Sequence, residues 1–159
     1  MARCGAKWSV DNSLLVIGYG NTLRRDDGVG PGVADAVERL KLQGVQTVVC
    51  TQLTPELADP LSRAGAAVFV DASVGKARRL RMRRLDPSDA PQILAHASDP
   101  RDLLGLARKV YGRAPDAWML TIPVEDLGFG DKLSENAGLS LRKAVRAVRA
   151  FHRRLRSRR

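Results

Sequence analysis

Three side chains able to bind a metal ion lie at the ends of predicted secondary-structure elements. Asp27 follows a first apolar strand in an acidic pair with Asp26, Asp71 ends a third apolar strand, and His96 precedes a helix that starts with a proline. Two carboxylates and one imidazole form a mixed oxygen and nitrogen set that suits a borderline divalent metal such as nickel or zinc. Metal-assisted chemistry then requires a fold that brings the three segments together.

Ordinary roles compete with metal binding at each of these residues. Acids in loops are usually solvated or cap a helix, and Asp26 and Asp27 precede a helix whose dipole favours a negative charge. For either residue taken alone, that role is the better account. Asp71 is isolated after a buried apolar run and is harder to explain in this way. We expect the one other histidine, His152, to be solvated among the arginines of the last helix.

Alternating strand and helix patterns predict the elements that must position these residues. The predicted strands cover 14–18, 45–50, 66–70, 78–85 and 117–122, and the helices cover 31–40, 54–65, 100–111 and 134–155. The alternation predicts an α/β fold: a three-layer domain with a central, mainly parallel twisted sheet of about five strands flanked by helices. The arginine-rich strand at 78–85 is expected at an edge of the sheet, in the opposite direction.

The order of the strands predicts one shared edge for the candidate residues. In a β-α-β-α-β start, right-handed crossovers commonly place the first and third strands side by side, and ligands bind above their carboxyl ends. Asp27 and Asp71 follow those two strands, and the segment with His96 leads into a helix that must begin at the same edge. We expect the glycine-rich loop at 128–130 there as well.

The strong positive charge of the chain is concentrated at one end. The formal net charge is +10, but residues 141–159 hold eight Arg, one Lys and no acid, which leaves 18 basic and 17 acidic side chains elsewhere. A second basic cluster lies at 76–84 and is balanced by acids in the rest of the chain. Net charge alone is therefore weak support for nucleic-acid binding.

Length and composition indicate a single soluble domain. A chain of 159 residues with 44% hydrophobic residues fits one domain over 1–159, for which we expect a flexible start at 1–12 and a frayed basic tail at 153–159. Cys4 and Cys50 match no zinc spacing. Because the sequence has neither a signal-peptide pattern nor a long apolar span, we expect a cytoplasmic protein without a membrane partner.

Common nucleotide-binding and catalytic motifs are absent from the sequence. Leu23 stands where the dinucleotide-binding fingerprint has its third glycine, and two carboxylates in the same loop would repel a pyrophosphate. The Walker A loop, the zinc-protease motif H-E-x-x-H and the hydrolase motif G-x-S-x-G do not occur. These classes of enzyme are therefore disfavoured.

A set of motifs occurs in a fixed order along nearly the whole chain. They are I-G-Y-G-N-T-L-R-R-D-D-G-V-G at 17–30, Q-L-T-P-E-L-A at 52–58, V-F-V-D-A-S at 68–73, a His before a Pro-initiated helix with L-L at 96–104, and G-F-G-D-K-L-S at 128–134. The first motif is the most specific. Together they resemble the [NiFe]-hydrogenase maturation endopeptidases.

The resemblance implies a cytoplasmic protease that removes a short C-terminal extension from a [NiFe]-hydrogenase large-subunit precursor after nickel insertion. It also implies that the precursor supplies the nickel, so that no metal is permanently bound. By motif, the metal-contacting residues are Asp27, Asp71 and His96. Asp27 stands where the family often has Glu, and Ala95 stands where the family usually has a serine before the His.

Two mechanisms and one different class of function stay open at this point. The nickel could polarise the scissile carbonyl or activate a water, or Asp27 or Asp71 could act as general base, as in aspartic proteases. The alternative is a non-catalytic α/β module that binds nucleic acid or an acidic protein surface through its Arg-rich C-terminal helix. The apolar stripe of that helix favours packing on the body, and we do not expect a nucleic-acid partner.

Overall fold

The computed structural model describes residues 13–75, 78–92 and 99–157. Within them the strands are β1 (Leu14–Tyr19), β2 (Val45–Cys50), β3 (Ala66–Val74), β4 (Arg81–Leu85) and β5 (Asp116–Val124). The helices are α1 (Val29–Arg39), α2 (Ala58–Arg63), α3 (Pro100–Tyr111) and α4 (Glu135–Ser157), with short 3-10 turns at Arg25–Gly28 and Pro55–Leu57. His96 and the expected flexible start at 1–12 lie outside the described residues.

The strands form one mixed sheet in the order β2-β1-β3-β5-β4. The four strands β2, β1, β3 and β5 are parallel to one another, and β4 pairs antiparallel with β5 at the edge. The predicted α/β architecture, the adjacency of the first and third strands and the reversed edge strand are all confirmed.

The helices pack against the two faces of the sheet through two apolar clusters, one on each face. Because strand side chains alternate, Leu14 and Val16 of β1 face one cluster with α1 and α4, while Leu15 and Ile17 face the other with α2 and α3. All four side chains are buried. A strand buried on both faces reads as a continuous apolar run, which is how β1 could be recognised.

The third strand is longer than the sequence predicts. We expected β3 to end at Asp71, and this was wrong: the strand continues to Val74. The reason is its neighbour β5, which also continues and pairs Asp71 with Thr121 and Val74 with Val124. Asp71 therefore lies inside the ladder that β3 forms with β5, one residue beyond the last pair with β1.

The long last helix packs on the sheet through its apolar stripe, as expected. Ala144 and Val148 are buried, and the ring of Phe151 lies edge-on to Trp118 of β5 with 4.6 Å between centroids. The expectation of a solvated His152 was wrong, because this side chain is buried and its Nε2 lies 2.9 Å from the Gln43 carbonyl oxygen. The helix runs to Ser157, into the segment expected to fray. None of the described helices is long and apolar enough to cross a membrane.

Candidate active site

The predicted carboxylates lie at the carboxyl ends of the neighbouring strands β1 and β3, the edge where open α/β sheets bind ligands. Strand alternation places Tyr19 of β1 and Asp71 of β3 on the same face, that of α2 and α3, in neighbouring strands. The Tyr19 hydroxyl donates a hydrogen bond to the Asp71 carboxylate. We call the group of Tyr19, Asp27 and Asp71 the carboxylate crevice.

The Asp71 carboxyl group is strongly perturbed. The pKa of Asp71 is raised to about 6, mainly by burial and to a smaller extent by the negative charge of Asp27, against the opposing hydrogen bonds from Tyr19 and the Ala72 backbone. Burial, followed by the charge of Asp71, also raises the pKa of Tyr19 well above its ordinary value. The tyrosine therefore remains a hydrogen-bond donor at any physiological pH, and the Asp71 carboxyl exists in both protonation states near neutrality.

Asp27 is held by the loop that follows β1. Its Oδ2 accepts a hydrogen bond of 2.8 Å from the Asn21 backbone N–H, and the Asn21 side chain in turn accepts one of 2.9 Å from the Leu23 N–H. The loop folds so tightly that a Cβ on Gly20 would lie 2.1 Å from the Asp27 carbonyl oxygen, and Gly20 has a φ of +145°. Glycine is required there because any side chain would push the loop away from Asp27.

The first turn of α1 lies against the strand ends that form the crevice. A Cβ on Gly30 would lie 2.6 Å from the carbonyl oxygens of both Tyr19 and Val70. Only a residue without a side chain lets the helix approach β1 and β3 this closely. The glycine pattern in this loop therefore serves close backbone packing around Asp27 and not the binding of a nucleotide.

Asp26, next to Asp27, has a different environment. It is fully buried, and its carboxylate accepts hydrogen bonds from the Asp126 N–H at 3.1 Å, the Ser134 N–H at 2.7 Å and the Ser134 hydroxyl at 2.8 Å. Ser134 immediately precedes α4 and accepts a bond from the Ala137 N–H. This carboxylate anchor, formed by Asp26, Asp126 and Ser134, ties the loop after β1 to the loop between β5 and α4.

Further bonds join the same two loops. The Arg25 N–H donates to the Gly130 carbonyl at 2.9 Å, and the Gly130 N–H donates to the Leu23 carbonyl at 3.0 Å. The Arg25 guanidinium pairs with Asp126 at 2.6 Å and donates to the Phe129 carbonyl at 3.2 Å. Arg25 has a positive φ of 42°, which these contacts hold in place. The expected position of the loop at 128–130, at this edge of the sheet, is confirmed.

The third predicted ligand, His96, lies outside the described residues, so its position stays a prediction. Asp99, which follows it by three residues and caps α3 through the Arg101 N–H, is close enough for its charge to act on Tyr19. The start of α3 therefore lies at the crevice. Within residues 13–75, 78–92 and 99–157, no three His, Cys, Asp or Glu side chains form a group that could hold a metal ion.

Sequence reasoning found Asp27 and Asp71 but missed two partners. Tyr19 lies on the same face of β1 as Leu15 and Ile17, because every second residue of a strand faces the same side. This alternation could have placed it beside Asp71 of the neighbouring strand. The anchoring role of Asp26 had no local signal, since its partner Ser134 is 108 residues away. Asp26 accepts three hydrogen bonds from protein donors, whereas Asp27 accepts one from the Asn21 backbone.

Comparison with known proteins shows which solved structures share this fold. No protein-family model matches the sequence, and no curated protein matches it. Among solved structures, the hydrogenase maturating endopeptidase HybD from E. coli is similar over 89% of this chain and 93% of its own, with 21% identity and a TM-score of 0.71. The [NiFe] hydrogenase maturation protease HycI from Thermococcus kodakarensis KOD1 is similar over 92% and 96%, with 18% identity and a TM-score of 0.70.

A third solved structure extends the same likeness. The hydrogenase 2 maturation peptidase from Thaumarchaeota archaeon SCGC_AB-539-E09 is similar over 86% of this chain and 95% of its own, with 23% identity and a TM-score of 0.63. The chain therefore has the α/β fold of the hydrogenase maturation endopeptidases. At the level of the fold, the resemblance drawn from the sequence motifs is confirmed.

Proposed function

We propose that this chain is an endopeptidase that removes the C-terminal extension of a [NiFe]-hydrogenase large-subunit precursor after nickel insertion. The observation that carries the proposal is the pairing of Asp27 and Asp71 in one crevice, where burial and mutual repulsion raise the pKa of Asp71 to about 6. Perturbed carboxyl groups in a crevice are typical of active sites. The fold shared with hydrogenase maturation endopeptidases supports the choice of substrate.

In this proposal Asp71 handles the proton. A carboxyl group with a pKa of about 6 can take a proton from an attacking water near neutral pH and return it to the leaving amine. Tyr19 fixes the orientation of Asp71 by its hydrogen bond, and the Asn21 N–H fixes Asp27. The first of these bonds opposes the rise in the pKa of Asp71 and thereby keeps it near neutrality.

Nickel belongs to the substrate in this proposal. The two carboxylates supply hard oxygen donors and His96, by resemblance, a nitrogen donor, which is a set that suits a divalent ion brought in by the precursor. In the version of the mechanism in which Asp71 binds the ion, the ion supplies Lewis-acid polarisation of a neighbouring carbonyl. Asp71 does not act as the base in that version, because a bound cation lowers its pKa. The proposal places the reaction in the cytoplasm and gives the chain no metal of its own.

The decisive experiment incubates the purified chain with the hydrogenase large-subunit precursor, with and without bound nickel, and follows loss of the extension by mass spectrometry. We expect cleavage of the nickel-loaded precursor only, and its loss in Asp27→Asn, Asp71→Asn and His96→Ala. Asp35→Asn, which changes an exposed acid on α1, serves as the matched control and should cleave normally. Cleavage of the nickel-free precursor, or normal cleavage by Asp71→Asn, would contradict the proposal.

A further inference from the structure

Two exposed apolar side chains lie beside the carboxylate crevice. Phe129 is 90% exposed, more than any other large apolar side chain in the described part of the chain, and Leu23 is 60% exposed. An aromatic ring in this position contributes little to the core, because its surface stays in water. The fold therefore gives no internal reason for a phenylalanine at this position.

The exposure is not the result of a loose loop. Gly130 pairs with Arg24 in an isolated parallel bridge, which places Leu23 and Phe129 at neighbouring register positions on the two segments. The Leu23 carbonyl accepts the Gly130 N–H, and the Phe129 carbonyl accepts the Arg25 guanidinium. The carboxylate of the fully buried Asp26 joins the same two segments by accepting a hydrogen bond from the Asp126 N–H. The two side chains are therefore presented to solvent from a fixed backbone.

Leu23 is connected to the crevice through Asn21. The Leu23 N–H donates to the Asn21 side chain, and the Asn21 N–H donates to the Asp27 carboxylate. Val74, which is 60% exposed, ends β3 three residues beyond Asp71 and adds a third apolar side chain at this edge of the sheet. Exposed apolar groups from three separate segments thus share the edge of the sheet that carries the two carboxylates.

We propose that Leu23 and Phe129 form a docking rim that binds an apolar surface of the polypeptide substrate next to the segment that enters the carboxylate crevice. The inference rests on the proposed function. The occupant is the substrate polypeptide because the rim adjoins the site that this polypeptide has to reach: Leu23 is linked to Asp27 through Asn21 by two consecutive hydrogen bonds, and Phe129 holds the register position next to Leu23. Rigid aromatic side chains are the usual anchors of protein interfaces, since little entropy is lost when they bind.

The test compares Phe129→Ala and the double variant Leu23→Ala/Phe129→Ala with the unchanged protein in precursor cleavage. We expect the KM for the nickel-loaded precursor to rise about tenfold in the single variant and further in the double variant, with kcat within about twofold, because an anchor contributes on the order of a tenfold change in affinity. The melting temperature should not change, since the Phe129 ring is 90% exposed. Tyr111→Ala, an exposed aromatic on α3 at the opposite edge, is the matched control and should leave KM unchanged.

The possible results separate this inference from the proposed function. An unchanged KM in both rim variants, or an equal rise in Tyr111→Ala, overturns the docking rim while the protease assignment stands. A dimer of the unchanged protein in sedimentation that the rim variants dissociate without a change in KM assigns the rim to a second copy of the chain and also overturns the inference. Failure of the unchanged protein to cleave the precursor sinks the proposed function and the docking rim together.

Discussion

Asp26 and Asp27 are adjacent in the sequence but belong to regions with opposite properties. Asp26 is fully buried in the carboxylate anchor, where three donors saturate it. Asp27 lies in the carboxylate crevice, partly exposed and close enough to Asp71 to raise the pKa of that carboxyl. Consecutive residues of a 3-10 turn point about a third of a turn apart, so one acid can enter the core while its neighbour faces the crevice.

The two regions also contribute to the stability of the fold with opposite sign. Asp26 stabilises the fold, because removal of its carboxylate would leave three buried donors without their acceptor. Ionised Asp71 opposes folding, since its pKa is higher in the folded chain than in the unfolded one. The carboxylate anchor therefore stabilises the fold, whereas ionised Asp71 in the carboxylate crevice destabilises it.

The largest expected effect is on activity, in the crevice. Asp71→Ala should lower kcat for precursor cleavage by about 10²- to 10⁴-fold, the usual contribution of a positioned acid or base. Its melting temperature should change little, because removal of a destabilising charge is offset by the loss of the acceptor of the Tyr19 hydroxyl. Cleavage assays with scanning calorimetry on the same samples check both. A folded Asp71→Ala variant that keeps full activity would show that Asp71 is not the acid or base of the cleavage reaction.

The next largest effect is on stability, in the anchor. Asp26→Ala leaves two backbone N–H groups and the Ser134 hydroxyl without their acceptor, and should lower the free energy of unfolding by about 3–5 kcal/mol. Ser134→Ala keeps the backbone bond to Asp26 and should cost about 1–2 kcal/mol. Urea denaturation measures both. If Ser134→Ala costs as much as Asp26→Ala, the carboxylate is not the centre of the anchor.

A smaller effect concerns the pH dependence of stability in the crevice. The pKa of Asp71 is raised from 3.8 to about 6 on folding, so its ionisation destabilises the folded chain fully above about pH 6, and the destabilisation disappears as the pH falls towards 4. Asp71→Asn keeps an acceptor for Tyr19 and should raise the free energy of unfolding by about 1–2 kcal/mol at pH 7.5, after allowance for solvent screening.

The same variant should show no gain in the free energy of unfolding at pH 4, because Asp71 of the unchanged folded protein is protonated, and therefore uncharged, at that pH. Urea titrations at the two pH values, in the presence of a chelator, measure the difference. Asp35→Asn, on the exposed face of α1, is the control and should show no gain at either pH. An Asp71→Asn gain that is equal at pH 4 and pH 7.5 would show that burial of the charge is not its cause.

The smallest effect is expected at the surface of the anchor. Arg25→Ala removes an ion pair with Asp126 between side chains that are both largely in water, and such pairs contribute little to stability. The melting temperature should barely change, while amide hydrogen exchange at Gly128 to Gly130 should become faster. A large loss of stability would mean that the arginine, and not Asp26, holds the two loops together.

Much of the fold could be predicted because its signals are local. The apolar run of β1 shows a strand buried on both faces, and Pro100 with the Asp99 cap marks the start of α3. The arginines of β4 indicated an edge strand, and the strand is at the edge. The end of β3 could not be read from Asp71, because the extension depends on the neighbouring strand β5.

The candidate site, like the fold, could be predicted from the sequence only in part. The pairing of Asp27 with Asp71 followed from the rule that adjacent parallel strands end at one edge, and the structure brings the two together. The buried roles of Asp26 and His152 were missed because their partners, Ser134 and Gln43, lie more than 100 residues away in the chain. The roles of Asp27, Asp71 and His96 in catalysis stay predictions.

The bond between Asp26 and Ser134 also sets when the crevice can exist during synthesis. The two residues are 108 positions apart, and α4 cannot begin until Ser134 has been made. At the usual rates of translation, roughly 5–20 s pass between the appearance of Asp26 and that of Ser134. A nascent chain thus carries both crevice aspartates for some time before the loop that fixes Asp27 is anchored. The proposed processing activity should therefore arise only after Ser134 and α4 have been synthesised.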